Sequence, residues 1–149
     1  MLYVSGCDQI TDDGITAIVE KMGKNLMYFS FIHCTKCTGA AFQSIVGHCP
    51  KQEQLCDNNV GICKIPHDIG QELPKLESLW LLSNNNIKTL PPSIVLVLNE
   101  DLRFDGNPLE DPPLDILNEG SKAMFKYFFN QYLYTLQSSN IAQPTDNLG

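Results

Sequence analysis

Apolar residues along this chain fall into short alternating runs, each followed by a turn and, in the first third, by a stripe at helical spacing. Leu79-x-Leu81-x-x-Asn84-x-x-Ile87-x-x-Leu90-Pro91 is followed by Leu102-x-Phe104-x-x-Asn107-Pro108-Leu109, with the two asparagines 23 positions apart. A longer version stands at the amino end. There Leu2-x-Val4-x-x-Cys7-x-x-Ile10-Thr11 overlays Phe29-x-Phe31-x-x-Cys34-x-x-Cys37-Thr38 with a period of 27. Alternation predicts a half-buried strand at each run, and fixed periods of this length predict copies of one unit whose apolar flanks only a neighbour can cover.

The segments between strands change character along the chain. Ile15, Ile18 and Met22, then Ala41, Phe42, Ile45 and Cys49, keep helical spacing, so residues 1–50 alternate strand and full helix. Thr11 is placed as an N-cap, with Asp12 and Asp13 suited to the positive end of the helix that follows. Over residues 51–113 the prolines at Pro74, Pro91 and Pro92 predict tight segments instead of helices. Asn59, Ile62 and Ile65-Pro66 line up there with Asn84, Ile87 and Leu90-Pro91, which drops Gln54 and Cys56 into strand slots and leaves Leu55 facing outward. Two readings exist: a degenerate repeat in that register, which the intact Asn-to-Pro spacing favours, or a slip by one that takes Leu55 and Asp57 inside.

The two ends differ. Ile116, Leu117, Met124, Tyr127 and Phe128 recur at helical spacing and predict a capping helix over residues 114–136, closing on the Leu102 repeat. Phe125, Phe129, Tyr132, Leu133 and Tyr134 make that helix apolar nearly all round, so it either packs deeply or docks something. Residues 137–149 read as a polar, disordered tail. Leu2 falls directly into a strand slot, from which further repeats or a domain before Met1 are expected.

The pattern L-x-L-x-x-N-x-L resembles that of leucine-rich repeats. Cys7-x-x-Ile10-Thr11-Asp12-x-Gly14, with Cys49-Pro50 at the end of the next copy, is similar to the cysteine-containing class found in F-box substrate receptors. Asn107-Pro108-Leu109-x-x-Pro112-Pro113, running on to Gly120, Ala123, Met124 and Tyr127, resembles the terminal repeat and cap of the Ras-scaffold and Roco families. The resemblance implies an α/β fold: a right-handed solenoid arc with a short parallel sheet on its concave face and a capping helix. It also implies a protein-recognition module, a scaffold or adaptor in intracellular signalling. Alternatives are the substrate-recognition segment of a ubiquitin ligase receptor, or the recognition arm of a Roco-type GTPase or kinase.

With Leu79 and Leu81 inward, period 2 turns Ser78, Trp80 and Leu82 to the open face. The equivalent positions elsewhere are Tyr3 and Ser5, then Tyr28, Ser30 and Ile32, then Leu55, then Arg103 and Asp105. These form the expected partner-binding surface for a protein or peptide, with a central column of Tyr3, Ser30, Leu55, Trp80 and Arg103. Trp, Tyr and Arg are the residues that dominate interface energetics, and Trp80 is the expected centre.

Charge narrows the partners. A net charge of −7 and scattered lysines disfavour nucleic acid or an anionic membrane, and no stretch approaches about 18 consecutive apolar residues. Six cysteines with neither a signal peptide nor an N-x-Ser/Thr sequon are read as reduced thiols in a cytoplasmic protein. Cys34-x-x-Cys37, His33 and His48-Cys49 imitate a zinc finger, but the repeat already explains the thiols as core residues, so no metal or cofactor is expected. The acidic run from Asp8 to Gly14 lacks the alternating ligands of a calcium loop, and no P-loop, G-x-S-x-G or H-E-x-x-H motif occurs, so no enzyme is expected.

Overall fold

Every predicted strand forms, and each lies beside its predecessor. The computed structural model describes residues 1–58, 61–83, 85–97 and 101–141. Strands β1 (Leu2–Tyr3), β2 (Tyr28–Ser30), β3 (Gln54–Asn58), β4 (Ser78–Leu82) and β5 (Asp101–Arg103) make one sheet in sequence order, all parallel. Between them run α1 (Asp12–Met22) with a short 3-10 turn, α2 (Gly39–His48), the single turn α3 (Ile69–Glu72) and a 3-10 segment over Pro92–Val97. The chain is thus α/β, with a five-stranded parallel sheet and each connecting segment packed on the next.

The core is built from two inward rows. Leu2, Phe29, Leu55, Leu79 and Leu102 pair across all five strands, and Phe29, Leu55 and Leu79 are buried. In the second row Asp57 pairs with Leu81, among Val4, Phe31 and Phe104. Ile15, Phe42, Ile45, Ile69 and Ile94 close the row from the connecting segments.

The register of β3 corrects the sequence reading. Gln54 pairs with Ser78, so Leu55 and Asp57 point inward, both 0% exposed, while Gln54 is exposed. Burying a leucine instead of a glutamine side chain is worth about 2 kcal/mol, and a strand cannot satisfy one position without moving all the others. The assumed constant turn length was at fault. Ile62 follows Asp57 by five residues, whereas Ile87 follows Leu81, and Cys37 follows Phe31, by six. Asn85 holds the shortened turn: its Oδ1 accepts from Ile62 N at 2.9 Å and its Nδ2 donates to Leu82 O at 3.3 Å. Asn59 and Asn84, which the sequence pattern aligns, lie outside the described residues.

Asn107 ties the turn after β5 to the unit before it, donating from Nδ2 to Leu81 O at 2.6 Å and to Phe104 O at 2.9 Å and accepting from Ile87 N at 3.3 Å. In the unit that follows β2 two thiols take over the donor's part. Cys34 Sγ donates to Val4 O at 2.7 Å and Cys37 Sγ to Ile10 O at 3.7 Å, each reaching the preceding unit. Thr11 caps α1 through Gly14 N at 3.5 Å. Asp12 has a second use absent from the sequence reading, because its carboxylate accepts from Thr38 N and Oγ1, both at 2.7 Å, and from Ala41 N at 3.2 Å. It therefore caps the next helix as well.

The carboxyl end is capped by two helices, not one. Gly120, at φ +87°, breaks the run into α4 (Leu114–Asn118) and α5 (Ser121–Ile141), and α5 continues five residues past the predicted end of the cap. Met124 and Phe128 are buried, and Tyr127 donates to Asp111 at 2.5 Å. Beyond the Leu102 unit, α5 lies along Pro92–Val97 and meets α3 where Gln71 donates to Tyr132 at 3.4 Å. Phe125 and Phe129 stack at 5.1 Å on its far side, exposed together with Leu133 and Leu136.

Candidate binding surface

Side chains at alternate strand positions are carried to the side of the sheet away from the connecting segments. There the structure aligns Tyr3, Ser30, Cys56, Trp80 and Arg103 in a central row, and Tyr28, Gln54, Ser78 and Asp101 in a second. Four of the five residues expected in the central column are in it. The fifth, Leu55, is buried on the opposite side, and Cys56 takes its place for the reason of register given above. Leu82 pairs with Asn58 one step further along, with Ile32 and Asp105 at the same level beyond the strand ends.

Trp80 and Arg103 are joined on this surface by stacking and by a bonded carboxylate. The guanidinium carbon of Arg103 stands 5.1 Å from the indole centroid, and its Nε lies 3.2 Å from Asp101 Oδ1. Ser78 Oγ donates to the other carboxylate oxygen at 2.6 Å. The Ser78 hydroxyl, followed by Arg103 and the nearby indole, holds the Asp101 carboxyl below the usual carboxylate range against the opposing effect of burial. The buried Trp80 N–H faces this carboxylate without closing a hydrogen bond.

Ser30 and Ser78 lie on the expected side but are buried between taller neighbours, so they shape the floor and offer little contact area. Tyr3 is 62% exposed, and Tyr28, half-buried, donates to Glu53 Oε2 at 3.1 Å. That hydrogen bond, then the charges of Glu53 and Glu77 with burial between them, raises the Tyr28 phenol above its ordinary value. Glu53, Glu77, Asp101 and Cys56 were missed from sequence. Asp101 was findable by period 2 from Arg103, Cys56 needed the true register, and the glutamates precede strand starts that alternation does not locate.

The thiols have another character. Burial pushes Cys37 up to about 12 and Cys49 up to about 11, so both stay protonated and act as small apolar groups or donors. No cluster of three or more His, Cys, Asp or Glu side chains among the described residues is placed to hold a metal ion. A cavity of about 290 Å³ lies between β5 and the cap, walled by Leu102, Leu109, Leu117 and Met124 with Arg103 at its edge. No described helix is long and apolar enough to cross a membrane. No family model, curated protein or solved structure matches the chain.

Proposed function

We propose that the chain is a leucine-rich-repeat solenoid that binds a protein or peptide on the concave side of its sheet, as a scaffold or adaptor in cytoplasmic signalling. Stacked parallel strands in sequence order support this, as does the donor from each of two units, Cys34 and Asn107, that reaches a carbonyl of the unit before. The observation that carries it is the row from Tyr3 to Arg103, with its Trp80–Arg103 stack on the side the connecting segments leave open. A surface already held by backbone pairing and by Asp101 loses little freedom on binding, which favours recognition by a preformed face. Nothing in the mechanism requires bond making; affinity comes from desolvating the indole and its neighbours.

Affinity capture with wild-type and Trp80→Ala protein tests it. Truncating a central tryptophan costs about 2 kcal/mol or more, about thirtyfold in affinity. Lys24→Ala, on the exposed 3-10 turn after α1, is expected to leave capture unchanged. The reverse pattern would place the partner on another face.

A further inference from the structure

The outer side of α5 is apolar and uncovered. Phe125, Phe129, Leu133 and Leu136 follow one another at intervals of four, four and three residues, which holds them in one stripe along the helix. They are 44%, 39%, 41% and 42% exposed. Met124 and Phe128, on another side of the helix, are the residues it buries in the body of the fold.

The helix also outruns its support. Every side chain from Leu133 to Ser139 is exposed, and three of them, Thr135, Ser138 and Ser139, are weak helix formers whose hydroxyls donate to Tyr132 O, Tyr134 O and Thr135 O at 2.7, 2.9 and 2.8 Å. A helix of this composition draws its stability from an apolar face packed on something else. These turns are nevertheless helical as far as Ile141. A partner lying along the stripe supplies the contact that the rest of the chain does not.

The chemistry of the stripe selects that partner. Lys122 and Lys126 are the charged residues of α5, both in its first two turns, and no acid stands on the helix. An acidic partner would find cations at one end only, and a basic one would be repelled there. A second copy laid antiparallel meets both conditions. Its two-fold axis falls between Phe129 and Leu133, so Phe129 faces Leu133 of the second copy and Phe125 faces Leu136, each ring against a smaller side chain. Each Lys122 then lies at the carboxyl end of the facing helix, whose free carbonyls carry partial negative charge. Over a helix about 30 Å long such a pair buries about 500 Å² per copy and about 1,000 Å² in all, the lower end of specific interfaces, so its dissociation constant falls in the micromolar range.

We propose that the chain pairs with a second copy of itself through this stripe, the two α5 helices antiparallel. α5 lies along Pro92–Val97 and α4, so pairing leaves the Trp80 row open on both copies and makes the sheet face bivalent. The pairing does not depend on what that face binds, and either can fail without the other.

Sedimentation velocity of the full chain from about 5 to about 300 µM tests it, with a reductant present because Cys7 and Cys63 are exposed. The chain is compared with Phe129→Lys/Leu133→Lys and with Met22→Lys/Met27→Lys, which makes the same charge change on exposed apolar residues away from α5. Support is a reversible monomer–dimer equilibrium that the Met22/Met27 variant keeps and the Phe129/Leu133 variant weakens about thirtyfold or more. Leu136→Lys, one turn and more beyond the last buried residue, guards against a misfolded double variant and is expected to weaken pairing about fivefold or more. Lys122→Glu/Lys126→Glu is expected to weaken it about threefold or more, since acids then meet the carboxyl end of the facing helix. A monomer at every concentration, association that grows past the dimer, or equal weakening by the Met22/Met27 and Phe129/Leu133 variants overturns the proposal. Full-strength pairing in the Lys122/Lys126 variant overturns the antiparallel arrangement and the proposal with it.

Discussion

Replacing Asp57 by asparagine changes how stability depends on pH. Asp57 is 0% exposed in the second inward row, and neither carboxylate oxygen has a hydrogen-bond partner among the described residues. Burial raises its pKa from 3.8 to about 7 against a smaller opposing effect of Asn85, while Cys34, Cys37 and Cys56 lie close enough to feel its charge. The unfolded chain releases this proton near pH 3.8 and the folded chain holds it until about 7. Between those values the folded state binds more protons, so stability falls as pH rises, by about 1.4 kcal/mol per unit and about 4 kcal/mol in all. Above pH 7 both states are ionised and the contribution is flat. Asparagine keeps the shape and removes the charge, but leaves an amide poorly bonded at a cost of about 1–2 kcal/mol. The variant is therefore expected to be less stable than wild type near pH 4 and more stable by about 2–3 kcal/mol at pH 8. Urea unfolding followed by the fluorescence of Trp80, the only tryptophan, measures both proteins from pH 4 to 8.5 at constant ionic strength. A stability difference that stays constant over this range would refute an unpaired, buried carboxyl at position 57.

Asp12→Ala removes an acceptor shared by Thr38 and Ala41 and is expected to cost about 1–2 kcal/mol by urea unfolding, well above the cost of Asp13→Ala on the same turn. Asn107→Ala leaves the Leu81 and Phe104 carbonyls without their side-chain donor and the Ile87 N–H without its acceptor, for an expected loss of about 2–3 kcal/mol in the same assay. Two glycine substitutions are expected to differ in sign. A Cβ at Gly70 meets Ser93 O and Leu96, so Gly70→Ala is expected to lower the melting temperature through a loss of stability of about 1–3 kcal/mol. At Gly47, within α2, a Cβ meets nothing within 4 Å, and Gly47→Ala is expected to raise the melting temperature through a gain in stability of about 0.5–1 kcal/mol.

Strand positions, the change from helices to short connectors and the existence of a cap were legible because alternation and helical spacing are local properties of the chain. Leu79 and Leu81, or Phe29 and Phe31, declare their side of the sheet without knowledge of any neighbour. The side taken by Leu55 is not local. It depends on how many residues the turn after β3 spends before Ile62, and that number differs from the neighbouring units. Asp12 was read correctly as an acid for its own helix, yet its bonds to Thr38 and Ala41 join residues 26 and 29 positions away and exist only once the units stack. Gly120 shows the converse. A lone glycine inside a helical pattern was read as part of one helix, and the bend it permits at positive φ divides the cap.

The one-residue difference in β3 reaches both the core and the open face. Had Gln54 and Cys56 pointed inward, Leu55 would have stood beside Trp80 and Asp57 would have carried a solvated charge outside. In the observed register the leucine joins Phe29 and Leu79 in the core, and a half-buried thiol of low polarity separates Ser30 from Trp80. The acid that leaves the surface becomes a fully buried carboxyl, its pKa raised by burial to about 7. A variant with Leu55→Gln and Gln54→Leu favours the other register, and it would exchange the core and open-face residues of β3 together, because successive side chains of a strand alternate sides.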